Sequence, residues 1–275
     1  LGSPLLQSQE VHCVGGVFTI DQMKHLLLIL LLIFSVGVGG HVYAGAPAVV
    51  VGEEIERRYE GFTLWIDCDK KAAVRFSYRL GPDSGDVKRK NHRCCKHDTT
   101  IPTRCRQLTT ASYRSHSPSL DRGHLVPFNH MDFSHEAAVE TNFMVNILPQ
   151  ASKMNQEHGA WYQTEQITEC YREYYVLDIM GGPLWSSNSR FLPSHGISVP
   201  ESFWKVIRRN DDSIAWIIPN VQEATDDKLD QYIVSLEQIE KRTGQEVGLD
   251  IDRNYTGTLD SWDVKKCTPL KNWRR

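Results

Sequence analysis

The chain has no internal repeat and no low-complexity tract, which excludes a solenoid or a fibrous rod. Bulk charge is nearly absent as well. The 31 Lys and Arg against 34 Asp and Glu leave a formal net charge of -3, so no global basic field announces a nucleic-acid partner. No apolar run is long enough for a membrane span. Leu26 to Val38 falls short of the ~20 residues a spanning helix needs, and Gly37, Gly39 and Gly40 break up the segment. The basic segment from Lys88 to Arg106 has no aromatics interleaved with its cations, as a base-stacking platform would have.

The amino-terminal region is more specific. Residues 1–22 show no periodicity and no evident role. Met23 opens a legible segment, with Lys24 and His25 as a positive end, then the apolar run, then Val42-Tyr43-Ala44 as a small-residue cleavage signal. That layout is a secretory signal peptide over 23–44. It predicts a secreted chain over 45–275, extracellular or, in a bacterium, periplasmic, with no stable membrane association. A retained membrane anchor is the rival, and the length argument disfavours it.

Export changes how cysteines are read. Of the seven, Cys13 precedes Met23, leaving Cys68, Cys94, Cys95, Cys105, Cys170 and Cys267. An even set in an oxidising compartment suggests disulfides, with the pairing open. Adjacent Cys94 and Cys95 are expected to bond to different partners, because geometry disfavours a bridge between neighbours. The rival is a zinc knot from His92, Cys94, Cys95, His97 and Cys105, whose spacing matches no standard finger.

Local charge says what bulk charge does not. Lys88, Arg89, Lys90, Arg93, Lys96, Arg104 and Arg106 face only Asp98 within one segment, a patch that would attract a phosphate backbone. A solvated loop with ordinary surface cations is the plainer reading.

Hydrophobic periods place strands at Phe62–Asp67 and Val74–Leu80, joined by a turn at Asp69-Lys70-Lys71. Further strands are predicted at Leu120–His124, Phe143–Leu148, Tyr174–Met180, Phe203–Arg208 and Ile214–Pro219. Helices are predicted over Asn155–Tyr171 and Asp227–Arg242, the second stopped by Gly244. Strands in runs with helices inserted imply an α+β domain.

One stretch organises the rest: Asp121-Arg122-Gly123-His124, then Asn146-Ile147-Leu148-Pro149-Gln150, then Asn155-Gln156 and Trp161. This combination of order and spacing resembles the DNA/RNA non-specific endonucleases of the ββα-metal superfamily. Further similarity lies in Gly181-Gly182-Pro183-Leu184, Trp204-Lys205-Val206, Ile217-Ile218-Pro219-Asn220 and Ile239 to Gly244. The resemblance implies a strand-loop-strand-helix core flanked by antiparallel sheet and helices.

Residue chemistry and resemblance converge on candidate roles. His124 is the general base, since a neutral imidazole accepts a proton from water near neutral pH. Asn155 is the metal ligand by resemblance, one amide oxygen holding a largely hydrated Mg²⁺, or Mn²⁺ in its place; its plainer role is a helix cap. Glu165 follows Asn155 by ten positions, close to three helical turns, so the two are expected on one face. The resemblance gives Glu165 the task of orienting metal-bound water. Arg122 contacts phosphate bidentately, or pairs with Asp121. Asn146 supports the site by hydrogen bonds. The family's second arginine falls at Glu169 here, and Arg172 is expected to replace it in substrate binding. His130, His135 and His195 read as structural or surface residues.

These roles describe a metal-dependent endonuclease acting on DNA and RNA with little sequence preference, and the resemblance also implies a homodimer. The rival is a secreted nucleic-acid-binding protein of the same fold without catalysis. A phosphomonoesterase fits the chemistry but has no motif of its own. Asn254-Tyr255-Thr256 is a glycosylation sequon.

Overall fold

A computed structural model of the chain describes residues 54–89, 94–115, 117, 119–247, 260–265 and 267. The expected leader at 23–44, the residues before it, His92, Lys90, Arg93 and the sequon lie outside these. The chain divides into two units at Val50, and the described residues belong to the second.

Six strands form one antiparallel sheet: β1 (Glu54–Arg58), β2 (Phe62–Asp67), β3 (Ala72–Leu80), β6 (Leu177–Leu184), β9 (Ser202–Arg209) and β10 (Asp212–Pro219), in that spatial order. In β2 the period of two shows directly, with Phe62, Leu64 and Ile66 buried and the residues between them half-exposed. The turn after β2 forms as expected. Asp67 Oδ1 accepts from the backbone of Asp69 and Lys70, and Lys71 closes the turn at φ 54°. Strand β9 is buried on both faces. Phe203 and Ile207 join the main core, while Trp204 and Val206 join a second cluster under α4 (Leu236–Thr243).

Against the first face sits a separate hairpin of β4 (Leu120–His124) and β5 (Ile147–Ala151), with Leu120 opposite Ala151 and His124 opposite Ile147. After it come α2 (Ser152–Asn155) and α3 (Ala160–Arg172). A short helix α1 (His135–Glu140) lies in the loop between β4 and β5, and β7 (Phe191–Leu192) pairs with β8 (Ile197–Ser198). This is the expected α+β arrangement, a strand-loop-strand-helix unit packed on an antiparallel sheet.

Several boundaries differ from the sequence expectations. Residues 144–146 form a 3-10 turn rather than strand, because Met144 N bonds to Lys96 O and Asn146 N to Phe143 O. Strand β5 starts only at Ile147 and runs through Pro149, tolerated because a two-stranded hairpin leaves an edge free of the missing N–H. The predicted strand from Tyr174 begins at Leu177. The helix predicted over 155–171 is broken. His158 adopts φ 68°, and a Cβ on Gly159 would lie 2.0 Å from Met154 O, so the chain turns there and restarts at Ala160. The helix predicted over 227–242 is also split. Ile233 and Val234 bond along β10, and α4 begins only after Ser235, whose hydroxyl and Gln238 form a capping box.

The cysteines form three disulfides: Cys68–Cys105, Cys94–Cys95 and Cys170–Cys267. The neighbours therefore bond to each other, contrary to expectation. The peptide bond between them is cis, with Cα atoms 3.1 Å apart. With Cys94, Cys95 and Cys105 all engaged, the zinc knot is excluded.

Candidate active site

Strand β4 ends in a cleft of roughly 320 Å³, and His124, Arg122, Asn155 and Glu165 all line it. The opposite wall is the loop after β3, with Asp86, Lys88 and Arg89. Four of the six candidate residues therefore converge. Asn155 and Glu165 reach the cleft from different helices, though, not from one helical face.

His124 is buried at 8% exposure. Burial, with the charges of Arg89 and Arg122, depresses its pKa to about 3 and keeps the ring neutral. Its Nε2 lies 3.2 Å from Asn142 Oδ1. A carboxamide oxygen only accepts, so it selects the tautomer with the proton on Nε2 and leaves Nδ1 as the basic nitrogen. The His124 backbone is held too, its carbonyl accepting from Gln150 Nε2 at 3.4 Å and Trp161 Nε1 at 3.3 Å. Gly123 is required beside it. A Cβ there would meet Gln150 Oε1 at 2.1 Å.

Asp121 organises the other half of the site. Its Oδ1 accepts from Arg114 and from Ser152 Oγ, and its Oδ2 accepts from Gln156 Nε2 at 2.7 Å and Asn155 Nδ2 at 3.4 Å. Burial raises its pKa, but these hydrogen bonds together outweigh burial and hold the carboxyl below its usual value. An ionised carboxylate cannot donate, so it takes the amide nitrogen of Asn155 and leaves Oδ1 as the free acceptor. That is the hard oxygen donor a hydrated Mg²⁺ takes, so the residues present fit the ion. Among the described residues no three His, Cys, Asp or Glu side chains converge into a metal cage.

Arg122 donates to Thr110 O at 2.9 Å instead of pairing with Asp121, whose partner is Arg114. Glu165 lines the cleft, where burial holds its pKa above the usual carboxylate range although the charges of Lys205 and Arg89 oppose this. Asn146 lies beneath the cleft. Its Oδ1 accepts from Val126 N and its Nδ2 donates to Val126 O and Thr141 O, pinning the chain that leaves β4. It supports the site and does not line it.

Arg172 is a correction. It is 2% exposed, donates to Gly81 O and lies 3.5 Å from Glu169, away from the cleft. The extended basic patch also divides. Arg89 lines the cleft, with its guanidinium over the Phe128 ring, whereas Arg106 is spent on Ile101 O and Thr99 O and Lys96 stacks on Phe143. His130 and His195 are fully buried, as structural histidines should be. Asn142 and Asp121 had no assigned roles from sequence; Asp121 opens the motif and Asn142 lies just before the predicted strand at Phe143, but their contacts span 18 and 34 residues.

Residues 45–255 match the family described as DNA/RNA non-specific endonuclease. The mitochondrial nuclease EXOG of Mus musculus is 28% identical over 68% of the chain and 55% of its own length. Endonuclease G of Bos taurus, also named mitochondrial, is 24% identical over 66% of the chain and 65% of its own length. The chain spans about half the length of the curated relatives it matches. An EndoG chain solved with EndoGI superposes with a TM-score of 0.61, at 21% identity over 70% of this chain and 85% of that one, and shares the fold. The expectation of secretion is corrected by these names: EXOG, endonuclease G and the nucleases of Schizosaccharomyces pombe and Saccharomyces cerevisiae are all mitochondrial. Among the described residues no helix is long and apolar enough to cross a membrane.

Proposed function

Because the chain belongs to the DNA/RNA non-specific endonuclease family, we propose that it hydrolyses phosphodiester bonds in DNA and RNA with little sequence preference, leaving 5'-phosphates. The observation that carries this reading is one cleft lined by a neutral buried imidazole, a carboxamide with its oxygen free, a carboxylate and two guanidiniums. Arg122 and Arg89 bind and orient the phosphate. The Nδ1 of His124, kept unprotonated by Asn142, accepts the proton of the attacking water. Glu165 accepts hydrogen bonds from water in the cleft, and Asn155 offers its oxygen to a hydrated Mg²⁺, for which Mn²⁺ would substitute. When bound, that ion supplies charge neutralisation at the phosphoryl oxygens.

The setting that agrees with the named relatives is mitochondrial, which fractionation of cells expressing the full chain would check. A homodimer belongs to this reading by resemblance alone, and sedimentation would test it. The activity test uses plasmid and single-stranded RNA with Mg²⁺, with Mn²⁺ and with chelator. Cleavage of both substrates that stops on chelation is expected. Binding without cleavage under every metal condition would overturn the reading in favour of a pure binding protein.

A further inference from the structure

We propose that Gln222, on the loop after β10, is a positioning residue that holds the one-turn helix α2 and with it Asn155, a role that rests on the nuclease reading above. Helix α2 spans only Ser152–Asn155. A single turn fixes several backbone dihedrals for little hydrogen bonding, so it does not persist unaided. The N–H groups that enter it have no partner inside the turn, and Ala151 at the N-cap brings no side-chain cap. Those donors are met from outside. Ala151 N donates to Asn220 Oδ1 at 2.7 Å, Ser152 N to Ser119 O at 2.9 Å and Lys153 N to Gln222 Oε1 at 3.0 Å.

Two of these three acceptors belong to one loop. The same loop also holds the chain beyond Asn155: Ala160 N donates to Ala224 O at 3.0 Å, and Asp226 N to His158 O at 2.9 Å. Residues 151–160, with Asn155 near their middle, are thus tied at both ends to residues 220–226. Asn220 and Gln222 differ in what else they hold. Asn220 Nδ2 donates to Pro149 O and Pro200 O, so this residue staples β5 to the chain entering β9 and serves the fold at large. Gln222 Nε2 donates at 2.8 Å to Ser119 O, the carbonyl that also accepts from Ser152 N. Its amide therefore bridges the entry to β4, the strand that delivers Arg122 and His124, and the helix that delivers Asn155. Asp121 orients the side-chain amide of Asn155, and Gln222 fixes the backbone that carries it.

Gln222 is half-buried, so replacing it should leave the fold intact. Gln222→Met keeps the length and removes both hydrogen bonds, whereas Gln222→Glu keeps an acceptor for Lys153 N. In the metal-free protein the Gln156 amide, which closes the turn on Ser152 O, should exchange its hydrogen about 3–10-fold faster in Gln222→Met. Mn²⁺ binding without substrate, followed by electron paramagnetic resonance, should weaken about tenfold in that variant and recover in part in Gln222→Glu. In plasmid cleavage the loss should fall on the Mg²⁺ requirement and be recovered at saturating Mg²⁺. Unchanged exchange at Gln156, or faster exchange with undiminished Mn²⁺ affinity, overturns the proposal. A lower kcat at saturating Mg²⁺ with an unchanged metal requirement would mark a merely structural role and overturns it too. A wild-type protein that neither binds Mn²⁺ nor cleaves defeats the nuclease reading itself; wild-type binding and cleavage that Gln222→Met leaves unmoved defeat this proposal alone.

Discussion

His124 gains its unprotonated state from dryness: burial and two neighbouring arginines depress its pKa to about 3, so protonation of the free enzyme contributes no acid limb near pH 6. The same shift links to stability. A pKa lowered in the folded state contributes stability that is present above the unfolded value near 6.5 and is lost as pH falls toward 3. Removing the imidazole should therefore act on chemistry, and His124→Ala is expected to lower the cleavage rate by roughly 10²–10⁴-fold with the circular dichroism spectrum retained. Asp121→Ala is a different experiment. It frees the Asn155 amide to rotate, and the Mg²⁺ concentration for half-maximal cleavage should rise about 10–100-fold; an unchanged requirement would mean Asp121 does not orient Asn155. That His124, Arg122, Asn155 and Glu165 would meet in one cleft was legible in sequence because the motif fixes their order. The roles of Asn142 and Asp121 were not, since each depends on a contact between segments that only the folded hairpin and helix bring together. Arg172 was misread for a related reason. Its helix position is two turns beyond Glu165, and only the loop carrying Gly81 and Asp83 reveals that this end of α3 is covered.

Strand β2, with its clean period of two, could be read from sequence to the residue, because alternation reports burial directly. The helices could not. Backbone contacts made elsewhere interrupt their apolar periodicity, Gly159 against Met154 O and Val234 against Ala215 O. Gly159→Ala tests the first of these. The added methyl would meet backbone that cannot yield, and a loss of about 1–3 kcal/mol in unfolding free energy is expected, with cleavage impaired through the displaced Asn155. Helix α3 also carries Glu169 into the core, and burial raises its carboxyl to about 8 although Arg172 opposes this from 3.5 Å. A raised pKa contributes stability that is complete below the unfolded value and is lost as pH rises toward 8. Thermal melts should accordingly show Glu169→Gln gaining on the wild type between pH 5 and 8; a constant gap would mean the carboxyl is already ionised at pH 5.

For the molecule as a whole, the cross-links are where sequence reading expected disulfides and left the pairing open, and where it wrongly set Cys94 and Cys95 apart. The Cys68–Cys105 bridge closes a separation of 37 residues on the main core. Replacing both cysteines by Ser should cost about 3–4 kcal/mol by the chain-entropy relation for a loop of that size, measured by urea unfolding. The family and the α+β architecture were readable because motif and strand order agree. The destination was not, since a positive end, an apolar run and small residues describe a leader without naming the compartment, and the named relatives point to mitochondria. The central claim is that His124 and Asn155 act together on one phosphate in one cleft. A double-mutant cycle on plasmid cleavage with His124→Ala, Asn155→Ala and the pair tests it most directly. Residues acting as a unit are strongly non-additive, so the double variant should be about as slow as the slower single one; losses that multiply would show two independent contributions and contradict the account.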